Sequence, residues 1–184
     1  DRLVESAKAI KVGYGMDEGV EMGPVVSARH KERVLSYIEK GLQEGASLLV
    51  DGRGVEVEGH PNGQFVGPTI FDDVDPSMTI IKEEIFGPVM AIARAKDLDE
   101  AISLIHECEY ANATSIFTNN GKHARDFQYK AGVSMMGINI GVAAPMAFFP
   151  FGGTKNSFFG DTKAHGKDSI RFFTDAKVVI SRWF

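Results

Sequence analysis

The chain has few of the residues that staple or anchor a protein. Among its 184 residues there is one cysteine, Cys108, and one tryptophan, Trp183. A lone cysteine closes no internal disulfide, so nothing calls for an oxidising compartment. No apolar run is long enough to span a bilayer as a helix, and no signal-peptide pattern opens the sequence. Positive charge is in deficit: 20 Lys and Arg against 25 Asp and Glu leave a net charge of −5. That balance argues against nucleic acid and against an anionic membrane surface as partners. The histidines His30, His60, His106, His123 and His165 are scattered, without the close spacing of a metal site. No Gly-x-Ser-x-Gly elbow, phosphate-binding loop or glycine-rich dinucleotide turn occurs. The location that fits is the cytoplasm, or the mitochondrial matrix in a eukaryote.

What is present describes an α/β protein. Hydrophobic residues make up 43% and charged residues 24%, an ordinary globular balance. Leu3, Ala7 and Ile10 recur at i, i+4 and i+7, so the chain opens inside an amphipathic helix and without an initiator Met. That start suits a fragment or a cleaved product. A second helix is expected from an N-cap at Ser27 through Val34, Ile38 and Leu42 to a stop at Gly45. Ser47–Val50 reads as a strand, and residues 53–64 as a surface excursion. Further extended stretches are expected at 65–71, 78–81 and 89–95. Asp97 and Glu100 form a capping box for a helix burying Leu98, Ala101, Ile102 and Ile105. Residues 114–117 read as a strand. Asn120 caps a helix burying Ala124, Phe127 and Ala131 and ended by Gly132.

Residues 133–140 read as another strand, and 141–160 as a long glycine- and phenylalanine-rich loop. The alternation predicts a three-layer α/β/α arrangement around a mainly parallel sheet. Residues 170–174 and 177–183 read as extended runs, and Val178, Val179, Ile180 and Trp183 make a poor open edge. The expectation is therefore a body at 1–168 and an oligomerisation tail strand at 169–184, pairing with a second copy.

Two irregular segments stand out. In Lys82-Glu83-Glu84-Ile85-Phe86-Gly87-Pro88-Val89, adjacent acids run into an apolar, turn-prone continuation that would draw one carboxylate inward. A carboxylate offers two acceptor oxygens and can hold both hydroxyls of a ribose, while a flat ring beside it can pack on a nicotinamide. In Phe149-Pro150-Phe151-Gly152-Gly153-Thr154-Lys155-Asn156-Ser157-Phe158-Phe159-Gly160, paired glycines let backbone approach closely. Of the neighbouring phenylalanines, most of Phe148, Phe149, Phe158 and Phe159 are expected to pack. Asn139, just before this loop, reads either as a turn former or as a support for a site.

Both segments resemble signature motifs of the aldehyde dehydrogenase superfamily. So do Met22-Gly23-Pro24 with its following helix, the Val66-Gly67-Pro68-Thr69 turn and the capped helix at Asp97, so the likeness extends over essentially the whole chain. It implies cofactor contacts from Glu84, on the nicotinamide ribose, and from Phe86, with Lys82 and Glu83 shaping the turn. It also implies a substrate-pocket wall at Phe151 and a pocket support at Asn139. Ala144-Pro145-Met146-Ala147-Phe148-Phe149-Pro150, Ser157-Phe158-Phe159-Gly160-Asp161 and Arg171-Phe172-Phe173-Thr174 are similar to the CoA-acylating methylmalonate-semialdehyde dehydrogenases. Thr154 departs from that group, which often has tryptophan there.

The resemblance implies an NAD-dependent enzyme, with CoA as co-substrate, acting on a small aldehyde as a homo-oligomer (dimer or tetramer). A cysteine thiolate would attack the aldehyde, hydride would pass to NAD, and the acyl thioester would transfer to CoA, with loss of CO2 from malonyl-type substrates. Cys108 does not fit that role. It lies at a helix end between Glu107 and Glu109, where negative neighbours disfavour the anionic nucleophile. No residue of this chain is therefore expected to be catalytic. The nucleophile and the nucleotide-binding domain are expected before Asp1, and the chain alone is expected to be inactive. Two other readings stand beside this one: a hydrolytic NAD(P)-dependent aldehyde dehydrogenase, and a non-catalytic oligomerisation module.

Overall fold

A computed structural model describes residues 2–184. The chain divides into two compact units, the first ending at Arg94 and the second running from Ala95 to Phe184.

In the first unit, α1 (Arg2–Ala9) precedes α2 (Ala28–Gln43), β1 (Ser47–Val50), β2 (Thr69–Asp72), the short α3 (Thr79–Lys82) and β3 (Val89–Ala91). The Ser27 side chain accepts from the His30 N–H at 3.2 Å, satisfying one of the free donors at the start of α2. Past the other end, Gly45 takes φ +94, a left-handed conformation suited to glycine. Val34 and Ile38 are fully buried and Leu42 packs partly against them, as the helical spacing predicts. The strands form one sheet in the order β1-β2-β3, antiparallel between β1 and β2 and parallel between β2 and β3. Its central strand carries Phe71, which packs with Val34, Ile38, Val66, Ile80 and Ile85 in the main core. Gly41 belongs to the same contact: a Cβ there would lie 2.9 Å from Phe71 Cζ.

The second unit contains α4 (Leu98–Glu107), β4 (Tyr110–Ala111), β5 (Ala113–Ile116), α5 (Gly121–Lys130), β6 (Met135–Ile138), β7 (Thr154–Lys155) and α6 (Gly166–Phe172). Both helix starts follow the sequence: Asp97 accepts from the Glu100 N–H at 2.9 Å, and Asn120 accepts from the Lys122 N–H at 2.9 Å. Ile102, Phe127 and Ala131 form the buried cluster, with Leu98, Ile105, Ile116 and Met136 against it. β5 and β6 pair in parallel, and β4 pairs antiparallel with β7.

Several expectations need correction. Beyond Met78, residues 79–81 are helical rather than extended, because α3 forms there; Glu44 accepts from the Thr79 backbone N–H at 2.9 Å, satisfying a donor at the first helical residue. Residues 170–172 are helical within α6 rather than extended. The pairing is less parallel than expected, since β1–β2 and β4–β7 run antiparallel. The irregular segment 51–68 joins β1 to β2, whereas β5, α5 and β6 lie between β4 and β7 in the chain. Residues 174–184 form no strand within the chain, and Val178, Ile180 and Trp183 are largely exposed. No helix among the described residues is long and apolar enough to cross a membrane.

Candidate functional site

The Glu83–Pro88 segment leaves α3 and returns to the sheet at β3, and α2 holds it along its length. Tyr37, buried in the core, donates its hydroxyl to the Glu83 carboxylate. That bond raises the Tyr37 pKa, because losing the phenolic proton would place two anions together. Arg33 donates from Nη2 to the Glu84 carbonyl at 3.0 Å. The His30 Nε2 lies 2.6 Å from the Phe86 carbonyl oxygen. Between these polar contacts Gly87 rests on Val34, where a Cβ would meet Val34 Cγ2 at 2.6 Å. Positions 30, 33, 34 and 37 share one helix face, so a single rigid element supports the whole turn.

Ile85 is the residue that faces inward. It is 8% exposed and belongs to the main core, where burying such a side chain contributes roughly 1.5–3 kcal/mol. With Ile85 directed in, its neighbours are directed out. Glu84 is exposed, with its backbone rather than its carboxylate gripped, and the Phe86 ring is 75% exposed. Neither carboxylate of this segment is drawn inward as expected: Glu83 and Glu84 are both exposed, and Glu83 differs only in accepting the Tyr37 hydroxyl. Phe86 also sits at φ +54, a left-handed conformation that costs a residue with a Cβ about 1–2 kcal/mol. Val25, Val26, His30, Arg33, Ile85 and Phe86 line a cleft of about 480 Å³.

The second segment closes on itself. Phe151 and Ala164 exchange backbone hydrogen bonds of 2.7 and 2.9 Å. Gly152 and Gly153 are buried without room for a side chain: a Cβ would lie 2.9 Å from Phe158 Cε2 at the first and 2.5 Å from Ser157 Cβ at the second. Lys155, at φ +51, donates to the carbonyls of His106 and Cys108 at 2.9 and 2.8 Å, tying the loop to the end of α4. Lys163 donates to the Gly153 carbonyl and lies 4.9 Å from the Phe158 ring centre. A cleft of about 500 Å³ opens beside these groups, lined by Gly153, Thr154, Lys155, Phe158, Gly160, Asp161 and Lys163.

Phe151 lies outside that cleft, 37% exposed, with its ring 5.5 Å from that of His165. The Asn139 side chain accepts from the Thr118 N–H at 2.8 Å and donates to the Thr118 carbonyl at 3.0 Å. At φ +57 it sits in the bend that follows β6. Packing was expected for most of the neighbouring phenylalanines, yet Phe148, Phe149 and Phe159 are exposed, the last at 98%. Of these four phenylalanines only Phe158 is partly covered. Cys108 is exposed at the end of α4.

Of the four expected site residues, Glu84 and Phe86 share one supported turn of the first unit, while Asn139 and Phe151 belong to the second. The supporting residues His30, Arg33 and Tyr37 were not foreseen. Their sequence signal was available: a histidine and a tyrosine stand on the same face as Val34 and Ile38, where a purely apolar stripe would be cheaper.

The profile of the aldehyde dehydrogenase family matches residues 1–179. A malonate-semialdehyde dehydrogenase of Geobacillus kaustophilus is 50% identical over 182 residues, covering 99% of this chain and 37% of that protein. A Sinorhizobium meliloti protein assigned as a methylmalonate-semialdehyde dehydrogenase, solved with NAD, superposes with a TM-score of 0.96 at 44% identity, over 100% of this chain and 37% of that one. The methylmalonate-semialdehyde dehydrogenase of Oceanimonas doudoroffii gives a TM-score of 0.95 at 44% identity, over 99% and 37% of the two chains. The chain therefore spans little more than a third of the length of these relatives.

Proposed function

We propose, from the premise that this chain belongs to the aldehyde dehydrogenase family, that it is the C-terminal part of an NAD-dependent, CoA-acylating malonate- or methylmalonate-semialdehyde dehydrogenase. One observation carries the reading: 50% identity to a malonate-semialdehyde dehydrogenase across 99% of the chain. The turn at 83–88 is consistent with it, because Glu84 and Phe86 present their side chains outward from a backbone held by α2.

NAD, when bound, accepts the hydride released as the aldehyde is oxidised. The Glu84 carboxylate would take both ribose hydroxyls, for which its two oxygens are suited and its exposure leaves it free. The Phe86 ring would flank the nicotinamide. Phe151 would form a wall of the substrate pocket, and Asn139 would act from behind it by fixing the turn before the loop. The nucleophilic cysteine belongs, in this reading, to a part of the full-length protein outside these residues, and the chain by itself does not turn over. The segment after α6 would pair with a second copy to make a dimer or tetramer, covering Val178, Ile180 and Trp183. A cytoplasmic location accords with the bacterial relatives.

The test is Glu84→Gln in the full-length protein, which keeps the shape but weakens the diol grip. Hydride transfer to NAD should slow by roughly 100-fold, the scale on which misplacing a reacting group acts. Unchanged single-turnover NAD reduction would defeat the assignment. Product analysis separates the branches: acyl-CoA supports the CoA-acylating reading, and free acid alone favours a hydrolytic dehydrogenase. Detecting neither product nor NAD reduction would leave the oligomerisation module.

A further inference from the structure

The face of α2 beneath the proposed cofactor turn makes unequal contacts. Tyr37 holds a side chain, Glu83, and Arg33 holds the carbonyl of Glu84, a residue without unusual backbone geometry. His30 alone bonds to a residue in the left-handed region, Phe86 at φ +54. Phenylalanine has no polar group with which to stabilise that conformation locally, so the hydrogen bond from outside must help to hold it. The ring cannot do so, because at 75% exposure it has little packing of its own.

Local geometry makes the peptide after Phe86 the part most able to turn. Gly87 follows, and glycine tolerates either sign of φ. The chain trace there is pinned independently, by Ile85 in the core and by Gly87 against Val34. Losing the His30 contact would therefore reorient one peptide and the ring attached to it while leaving the fold in place.

We infer that His30 is a positioning residue for hydride transfer: its imidazole Nε2, donating to the Phe86 carbonyl, fixes the direction of the Phe86 ring against which the nicotinamide is oriented. The inference rests on the reading of Glu84 and Phe86 given above. It assigns His30 no proton transfer and no contact with the aldehyde.

The experiment uses the full-length enzyme with NAD and malonate semialdehyde. His30→Ala should lower kcat/KM for NAD by roughly tenfold, a partial loss of orientation. KM for the aldehyde and the thermal midpoint should stay close to wild type, and the isotope effect with deuterated aldehyde should rise as hydride transfer becomes slower. His30→Gln, whose amide N–H can reach the same carbonyl, should recover most of the activity. Should His30→Ala not fold, His30→Asn, with a shorter reach, replaces it against His30→Gln. Equal losses in the alanine (or asparagine) and glutamine variants would overturn the role of the hydrogen bond. An unchanged His30→Ala beside an impaired Glu84→Gln would overturn this inference alone. An unimpaired Glu84→Gln would remove the cofactor reading and the inference together.

Discussion

The two signature segments look alike in composition and are built in opposite ways. The turn at Glu83–Pro88 is short, has one side chain in the main core, and is gripped by a regular helix at its carbonyls and at one carboxylate. The loop after β6 is long, leaves Phe148, Phe149 and Phe159 exposed, and depends on lysines reaching back to its own carbonyls or to the end of α4. The first is a platform whose geometry another element determines. The second is folded largely from its own residues, which suits a surface that must adapt to what packs on it.

Substitutions in the full-length protein can sharpen or break this contrast. The largest stability effect should come from Gly87→Ala. The added methyl would press on fully buried Val34, and overpacking of this kind costs about 1–3 kcal/mol. Gly141→Ala, in the second loop, meets no atom within 4 Å and should be nearly neutral by denaturant titration. Equal effects at the two sites would dissolve the distinction.

Asn139→Ala removes both bonds to Thr118 and leaves a non-glycine residue at φ +57, so a loss of about 1–2 kcal/mol is expected, measurable in the same titration. Asn139→Gly should lose less, because the backbone strain disappears while the hydrogen bonds remain missing. A smaller effect still is expected at Phe159. Its ring is 98% exposed, and replacement by alanine should change unfolding by no more than about 0.5 kcal/mol. A larger loss would mean that the ring is covered in the full-length protein.

The least effect should come from acid. Arg94, hydrogen-bonded to Asp72, holds that carboxyl below its ordinary range, and Lys130, 2.8 Å from Asp99, does the same in the second unit. A depressed folded pKa gives stability that is present above the unfolded value, about 3.9 for Asp, and lost as pH falls through the lower folded one. As far as these pairs act, thermal midpoints should thus be independent of pH near neutrality and begin to decline below about pH 4. Asp72→Asn and Asp99→Asn should each flatten that decline slightly. A steeper decline in either variant would contradict the direction assigned.

Much of the fold was legible because local rules are strong where they repeat. Ser27, Asp97 and Asn120 cap the expected helices, and Val34, Ile38, Ile102 and Phe127 lie on the expected buried faces. The expected strand at 78–81 failed because Ile80 and Ile81 are as compatible with a single helical turn as with a strand. The terminal run at 170–174 failed similarly, since β-branched and aromatic residues also occur in short helices. At the proposed site, the sequence singled out the 82–89 segment but not that Ile85, rather than either carboxylate, turns inward.

The sequence by itself determined the helix caps, the apolar stripes and the family of the chain, because these depend on residue identity at fixed spacing. The tertiary structure decided that Ile85 turns inward, that Glu84 and Phe86 turn outward, and that His30, Arg33 and Tyr37 stand behind them. Those contacts join positions 46 to 56 residues apart in the chain. No local periodicity encodes a hydrogen bond of that separation; it exists only once α2 and the turn share a core.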